Sequence, residues 1–295
     1  MKWLKSGDCV GLIAPSSKID KGDFNPFIKA LSDLGIRVIK PKGLTSSYRY
    51  MAGTDKKRAD DVMEMFANEK VKAIICARGG AGSTRILDKL DYQFIKSHTK
   101  PIIGFSDSTA LQNALISRSD NPALTGFLPL YDTREGILDL FMFSELKDTL
   151  FGNKQKIISG ISLNSGECSG KIVGGCLSVL TLLCGTPYFP KLKNKILLLE
   201  DTNEKTYRID LMLNQIKQQP DFKQLKGIIF GKFNNCEISD IADGTIDDCI
   251  NDFIKDIAVP VIKDFSYGHI PQRQIIPLGI KVKLISSCDE CLIEY

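Results

Sequence analysis

Residues 100–111 read Lys100-Pro101-Ile102-Ile103-Gly104-Phe105-Ser106-Asp107-Ser108-Thr109-Ala110-Leu111. An apolar run ends there in a Gly-Phe-Ser-Asp turn, and a helix-like pattern starts directly after it. This order predicts a strand, a sharp bend at Ser106 and a helix whose first N–H groups can face a developing oxyanion. Ser106 is therefore a candidate nucleophile. The alternative is a turn serine that caps the helix.

The same strand-then-helix order runs through the first half of the chain. Alternation of this kind predicts a parallel sheet covered by helices, with ligands bound at the carboxyl ends of the strands. Strands are predicted at 9–15, 36–40, 71–77 and 101–105, and helices at 27–34, at 55–68 and after Ser106. The loops at 14–17, 78–80 and 105–107 all follow predicted strands, so we expect them to converge.

Length and composition favour two domains. The chain has 295 residues and a mass of 32.7 kDa, with 43% hydrophobic and 25% charged residues, as in globular proteins with a large core. We predict an α/β fold with an N-terminal doubly wound, mostly parallel domain at 1–150 and a smaller C-terminal α/β domain at 170–295. The segment 151–169, rich in Gly, Ser, Asn and Lys, is predicted to be a linker. A closing strand region is expected around 276–285.

Several classes of protein are disfavoured by the composition. The net charge is +4 and the basic residues are spread along the chain, which argues against nucleic-acid binding. No apolar run reaches the roughly 18 residues of a membrane span, and the first residues do not read as a signal peptide. Nine cysteines, mostly single and in apolar surroundings, indicate reduced thiols in the cytoplasm.

Metal and cofactor chemistry has little support in the residue pattern. Cys288 and Cys291 form one C-x-x-C without a second pair or a nearby histidine, which is a weak zinc or redox signal; the alternative is two ordinary residues. Two histidines and scattered carboxylates give no ligand cluster. We expect neither a metal nor a cofactor.

A serine hydroxyl needs a base, and the chain contains only His98 and His269. His98 lies in a polar loop, where solvation is the simpler interpretation. His269 lies in a Tyr-Gly-His turn followed by an apolar run that would anchor it, although a lone turn histidine is also common as a surface residue.

Glu200 ends the apolar run 196–199. A carboxylate at the end of a buried strand is costly unless it is paired, and orienting an imidazole would pair it. The alternative is an acid placed before the next helix, a structural role that Asp201 could share.

Gly79 and Gly80 follow the predicted strand at 71–77. Two successive glycines let a backbone approach a ligand closely and can point N–H groups at an anion. Their spacing fits neither a P-loop nor a dinucleotide fingerprint. The alternative is a tight turn before a helix.

Taken in order, these segments resemble the LD-carboxypeptidase family of serine peptidases, which includes murein tetrapeptide carboxypeptidases and microcin C immunity peptidases. The resemblance covers roughly residues 8 to 285. The stretches that carry it are Gly11-Leu12-Ile13-Ala14-Pro15-Ser16, Arg78-Gly79-Gly80-Ala81-Gly82-Ser83, Gly104-Phe105-Ser106-Asp107, Gly174-Gly175-Cys176-Leu177, Leu199-Glu200-Asp201 with Tyr207-Arg208-Ile209-Asp210, and Gly268-His269 with Pro277-Leu278-Gly279.

The resemblance implies a catalytic triad. Ser106 would be the nucleophile, His269 the general base and acid, and Glu200 its orienting partner, while the backbone N–H groups of Gly80 and Asp107 would form the oxyanion hole. The family also implies an active site between the two domains. Further implied properties are a cytoplasmic location, a homodimer and release of terminal D-Ala from murein tetrapeptides.

A free carboxylate on such a substrate calls for a basic or N–H-rich end to the cleft. Tyr207 and Arg208 are candidates, with Arg78 and Gly79 as further substrate contacts. The alternative for Arg208 is a structural pair with Asp210 or Asp201.

The chain departs from the family pattern in two places. Ala81 stands where the family usually has an aromatic residue, and residues 126–129 read Gly126-Phe127-Leu128-Pro129 in place of a frequent His-Gly-Pro step. Both changes are expected to reshape the substrate pocket. A peptidase that cleaves a peptidyl-nucleotide toxin and a non-catalytic peptide-binding α/β protein therefore stay as alternatives.

Overall fold

The computed structural model describes residues 2–19, 24–236 and 244–295. The strands are β1 Cys9–Ile13, β2 Arg37–Ile39, β3 Val71–Cys76, β4 Ile102–Gly104, β5 Ala123–Thr125, β6 Thr133–Arg134, β7 Ile137–Leu138, β8 Lys156–Ile158, β9 Ile161–Asn164, β10 Gly166–Cys176, β11 Lys195–Thr202, β12 Gly227–Asn234, β13 Val261–Lys263, β14 Ile276–Leu278, β15 Lys281–Ser286 and β16 Cys291–Glu294. The α-helices are α1 Asn25–Asp33, α2 Asp55–Ala67, α3 Tyr92–Ser97, α4 Ser108–Ser119, α5 Leu140–Phe151, α6 Leu177–Thr181, α7 Thr206–Lys217 and α8 Ile246–Ile254. Short 3₁₀ helices span Ser83–Lys89 and Phe222–Gln224.

The chain divides into two units. The first comprises Met1–Gln155 with Ile275–Leu278, and the second comprises Lys156–Gln274 with Gly279–Tyr295. The α/β class predicted from the alternation of elements is confirmed, since both units carry a sheet with a parallel centre and helical connections.

In the described part of the first unit, the sheet has the strand order β14-β5-β4-β3-β1-β2. Neighbours among β1 to β5 pair in parallel, and β14 pairs antiparallel with β5. The chain steps to one side of β1 to form β2 and then to the other side to form β3. The carboxyl ends of β1 and β3 therefore flank a topological switch point, where open α/β sheets bind ligands.

Burial explains why the strands of this sheet read as continuous apolar runs. All five residues of β1 are buried, as expected for a strand covered on both faces. Phe27 of α1 packs on Phe127 with ring centroids 5.5 Å apart, within the same core as Val10 and Ile75.

In the described part of the second unit, the sheet has the order β8-β16-β15-β10-β11-β12-β13-β9. Strands β10 to β13 are parallel, and the flanking strands are antiparallel. β11 is buried along nearly its whole length, which places Glu200 inside this sheet.

Two segments differ from the prediction. The predicted linker at 151–169 includes β8, β9 and the start of β10, and β8 and β9 are the two terminal strands of the second sheet. Edge strands expose much of their surface, so they lack the apolar run that would have identified them. The predicted closing strand at 276–285 is two strands, β14 in the first sheet and β15 in the second.

Candidate active site

Ser106 lies at a strained turn between β4 and α4. Its φ is +59°, a left-handed conformation that costs a residue with a side chain about 1–3 kcal/mol. The N-cap position of α4 belongs to Asp107, and no side chain caps this helix. The turn predicted from the sequence is therefore present, whereas the capping alternative for Ser106 does not fit the geometry.

Residues 78–82 after β3, the glycine loop, lie directly against this turn. A Cβ on Gly79 would be 3.0 Å from Ser106 Cβ and 3.2 Å from Leu128 Cδ1, so a side chain there would force these neighbours to shift. Gly80 has φ +105°. Among the described residues, none of the hydrogen bonds uses the N–H of Gly80 or of Asp107. Both donors are thus available to an acceptor from outside the chain.

Hydrogen bonds hold this loop at both ends. Ser83 N–H donates to Asp107 Oδ2 at 2.9 Å, and Ser83 Oγ donates to the Asp107 carbonyl at 2.6 Å. At the other end, Ser17 N–H donates to the Gly79 carbonyl at 3.3 Å, and Ser17 Oγ accepts from Ala81 N–H at 3.0 Å. Burial raises the pKa of Asp107, while its hydrogen bonds from Ser83 act in the opposite direction. Ser83 was not singled out by the sequence, because nothing in its local pattern reveals a contact 24 positions away.

Glu200 and His269 lie together in the second unit. His269 Nδ1 is 2.8 Å from Glu200 Oε2, the Glu200 side chain is fully buried, and the imidazole is 11% exposed. A carboxylate oxygen only accepts hydrogen bonds, so Nδ1 carries the proton, and the neutral form of the imidazole then has its lone pair on Nε2. The pair is arranged as a base with its orienting acid.

The backbone around Glu200 and His269 explains how the two side chains come within hydrogen-bond distance. Leu199 pairs with Phe230 and Asp201 with Phe233, so β12 has an extra residue opposite Glu200. A bulge of this kind bends a strand and redirects its side chains. Gly268 has φ +132°, and a Cβ there would be 2.8 Å from the Lys232 carbonyl oxygen and 3.1 Å from Glu200 Oε2.

Asp201 has a structural role. Its Oδ2 accepts from Ser178 N–H at 2.6 Å, which caps α6, and its Oδ1 accepts from Thr202 N–H at 2.8 Å. Burial raises the pKa of Asp201 to about 6 despite these hydrogen bonds. Asp201 is thus the acid that binds a helix terminus. The helix is α6, whereas the sequence suggested α7.

Two of the predicted substrate contacts, Tyr207 and Arg208, lie at exposed positions, whereas Arg78 is half-buried and Gly79 is buried. Tyr207 is 46% exposed on α7, and Arg208 Nε donates to Glu204 Oε2 at 2.7 Å. The partner of Arg208 is therefore Glu204, neither Asp210 nor Asp201. The four-residue spacing of Glu204 and Arg208 was a readable signal for an ion pair. Arg78 Nη1 donates to the Lys18 carbonyl at 2.5 Å, which ties the glycine loop to the segment after β1.

The remaining sequence candidates lie elsewhere. His98 stacks on Phe94 with ring centroids 3.9 Å apart and is partly exposed at the end of α3. Cys288 and Cys291, in and after the turn between β15 and β16, are free thiols. Across residues 2–19, 24–236 and 244–295, no group of three or more metal-ligating side chains is arranged to hold an ion. The same residues include no helix with the length and apolarity to cross a membrane.

Comparison with known proteins covers both units. The family model described as LD-carboxypeptidase N-terminal domain matches residues 10–126, and the one described as LD-carboxypeptidase C-terminal domain matches residues 169–284. A "Probable murein peptide carboxypeptidase" of Bacillus subtilis (strain 168) is 32% identical over 300 residues, covering 99% of this chain and 93% of that protein.

Two solved structures share the fold. The MccF-like protein from Bacillus anthracis str. Ames has a TM-score of 0.88 at 28% identity, covering 99% of this chain and 97% of that one. The muramoyltetrapeptide carboxypeptidase from Oxalobacter formigenes has a TM-score of 0.87 at 26% identity, covering 97% of each chain.

Proposed function

Since this chain belongs to the LD-carboxypeptidase family, we propose that this serine-type carboxypeptidase releases terminal D-Ala from murein tetrapeptides by cleaving an LD peptide bond. The names of the Bacillus subtilis relative and of the Oxalobacter formigenes structure support a murein peptide substrate. The observation that carries the mechanism is the 2.8 Å hydrogen bond between His269 Nδ1 and the buried Glu200.

We propose a two-step acyl transfer. His269 Nε2 removes the proton from Ser106 Oγ, which attacks the carbonyl carbon before D-Ala. The tetrahedral intermediate collapses as His269 protonates the leaving amine, and water then releases the tripeptide acyl group by the reverse proton transfers. Glu200 holds the imidazole in the tautomer that this cycle needs and stabilises the imidazolium.

The proposed oxyanion hole consists of the backbone N–H groups of Gly80 and Asp107. Their lack of an acceptor among the described residues supports this role. Losing one such donor typically costs about 2.7–4 kcal/mol of transition-state stabilisation. Only main-chain atoms are used, so the raised pKa of the Asp107 carboxyl does not enter the reaction.

For the free carboxylate of the substrate we propose Arg208 and the Tyr207 hydroxyl, with Arg78 and Gly79 as further contacts. A guanidinium binds a carboxylate with charge-assisted hydrogen bonds. Because Arg208 already bonds Glu204, substrate binding would have to share or replace that pair.

We also propose that the reaction takes place in the cytoplasm and that the enzyme is a homodimer. All nine cysteines lie within the described residues and are free thiols, which is typical of proteins in reducing compartments. The homodimer rests on the family resemblance, and light scattering on the purified protein tests it.

The deciding experiment is mass spectrometry of products from a panel of LD- and DD-linked muropeptides. We expect D-Ala and a tripeptide from the LD-linked tetrapeptide only, no product with Ser106→Ala, and unchanged turnover with EDTA. Full turnover by a folded Ser106→Ala variant would remove the nucleophile assignment.

A second candidate is a peptidase that cleaves a peptidyl-nucleotide toxin, which the MccF-like neighbour favours. Such an enzyme needs an aromatic platform for the base. Trp3, the only tryptophan, is partly buried against the core of the first unit, which gives this candidate no support. Adding a peptidyl-nucleotide substrate to the panel separates the two activities.

A further inference from the structure

Arg58 is a cation with a fully buried side chain on α2, a helix rich in charged residues. Charged side chains are rarely buried unless their position serves a purpose, because desolvation costs several kcal/mol per ion. Within the part of the chain that the structure describes, its hydrogen bonds lie in the first unit.

The guanidinium joins the segments that follow β1 and β3. Arg58 Nη1 donates both to the Pro15 carbonyl and to the Gly82 carbonyl, the latter at 2.8 Å. Pro15 follows β1, and Gly82 ends the glycine loop after β3. These strands are neighbours at the topological switch point, so one nitrogen fixes the spacing of the two loops there.

The charged groups around Arg58 indicate that its burial positions the two loops and adds little to the stability of the fold. Arg58 Nη2 bonds Asp55 Oδ1 at 2.5 Å, and Arg85 shares that carboxylate through Nε at 3.0 Å. Asp107 is the further charged group that acts on Arg58. Among the described residues, Arg58 Nε is buried without a partner. A buried cation with an unsatisfied donor is a poor source of stability, whereas a planar guanidinium can hold two carbonyls through Nη1 while Nη2 bonds Asp55.

The glycine loop is therefore anchored on both sides of Gly80. Ser17 bonds Gly79 before it and Ala81 after it, Arg58 bonds Gly82, and Ser83 bonds Asp107 at the Ser106 turn. We propose that Arg58 is a positioning residue for the oxyanion hole, which holds the Gly80 N–H at the distance from the Asp107 N–H that a tetrahedral oxyanion requires. This inference rests on the proposed function.

The test compares Arg58→Lys with Arg85→Ala. The lysine side chain is one bond shorter, so its ammonium cannot take the Nη1 position that contacts both carbonyls and bond Asp55 as well. Arg85→Ala removes a partner of Asp55 and leaves both loop contacts intact. For Arg58→Lys we expect kcat to fall about 10²-fold with KM within threefold, because an oxyanion donor acts in the transition state. A boronic-acid analogue of the tetrapeptide, which forms a tetrahedral adduct with serine, should bind more weakly by a similar factor.

The control and the contrary results are specific. Arg85→Ala should keep kcat and boronate affinity within threefold of wild type. A folded Arg58→Lys variant with wild-type kcat, or with reduced kcat and undiminished boronate affinity, overturns the proposal. If Arg58→Lys does not fold, Arg58→Gln is judged by the same criteria, and loss of folding in both contradicts a positioning role.

Failure of the proposed function is recognised separately. If the wild-type protein cleaves no muropeptide, amide hydrogen exchange of residues 78–84 still measures how firmly the glycine loop is held. We then require faster exchange in Arg58→Lys than in Arg85→Ala, and equal exchange would reject the positioning role whatever the substrate is.

Discussion

Glu200 Oε2 lies 2.8 Å from His269 Nδ1, although the two residues are 69 positions apart in the chain. The bulge in β12 and the left-handed Gly268 bring the buried strand end and the turn together. The other oxygen, Glu200 Oε1, has no hydrogen-bond partner among the described residues. Glu200 thus acts on the imidazole through one oxygen atom, Oε2.

Glu200→Gln should lower kcat for D-Ala release by about 10³–10⁴-fold. An amide either presents N–H₂ to Nδ1, which forces the proton to Nε2, or buries that group unpaired. Steady-state kinetics on the tetrapeptide measures the effect. Asp201→Asn is the matched control, since this neighbouring buried carboxylate caps α6, and its kcat should stay within threefold. Glu200→Gln activity within tenfold of wild type would contradict the assignment.

Ser106→Gly should be more stable than Ser106→Ala by about 1 kcal/mol. Glycine adopts the φ of +59° without the steric penalty of a Cβ, whereas alanine still pays that penalty. Both variants should be inactive, and urea unfolding compares them. Equal stability of the two would show that the turn stores no strain at Ser106.

Gly268→Ala should destabilise the protein by about 1–3 kcal/mol and displace His269. The added Cβ meets the Lys232 carbonyl at 2.8 Å in a backbone conformation that suits glycine. Gly185→Ala is the control, because Gly185 also has positive φ, at +79°, but open space around its Cβ position. Thermal unfolding and kcat should both fall further for Gly268→Ala, and identical losses would mean that the steric contact is unimportant.

The free energy of unfolding should depend on pH through Asp201. Its pKa is raised by burial to about 6 in the folded protein, from 3.8 in the unfolded chain. Between these values the folded state binds more protons, so the contribution is complete below about pH 4 and is lost as pH rises through about 6. Relative to Asp201→Asn, wild type should lose about 3 kcal/mol over this range. Urea unfolding at each pH measures the difference. If the free energies of unfolding of wild type and Asp201→Asn change equally with pH, this prediction is wrong.

Much of the first unit could be predicted from local pattern. The predicted strand at 71–77 and helix at 55–68 agree with β3 and α2 to within one residue at each end, because buried strands and helices with one apolar side carry strong periodic signals. The bend at Ser106 was predictable because a strand ends and a helix begins within a few residues.

Other features had no local signal. The edge strands β8 and β9 are short and mostly exposed or half-buried, and Gly, Ser, Asn and Lys surround them, so the segment resembled a linker. The apolar pattern after Gln274 predicted a strand but could not show that Ile276–Leu278 pairs with β5 in the first sheet. Pairing partners far apart in sequence are selected by packing, which a local window does not contain.

The sequence by itself determined the α/β class, the strained serine turn and the glycine loop beside it, since each follows from the backbone preferences of adjacent residues. Only the tertiary structure decided that Arg58 is buried against two loop carbonyls, that Asp201 caps α6, and that Glu200 meets His269. The physical reason is that burial and hydrogen bonding depend on which distant segments share a site, and local conformational preference does not specify them.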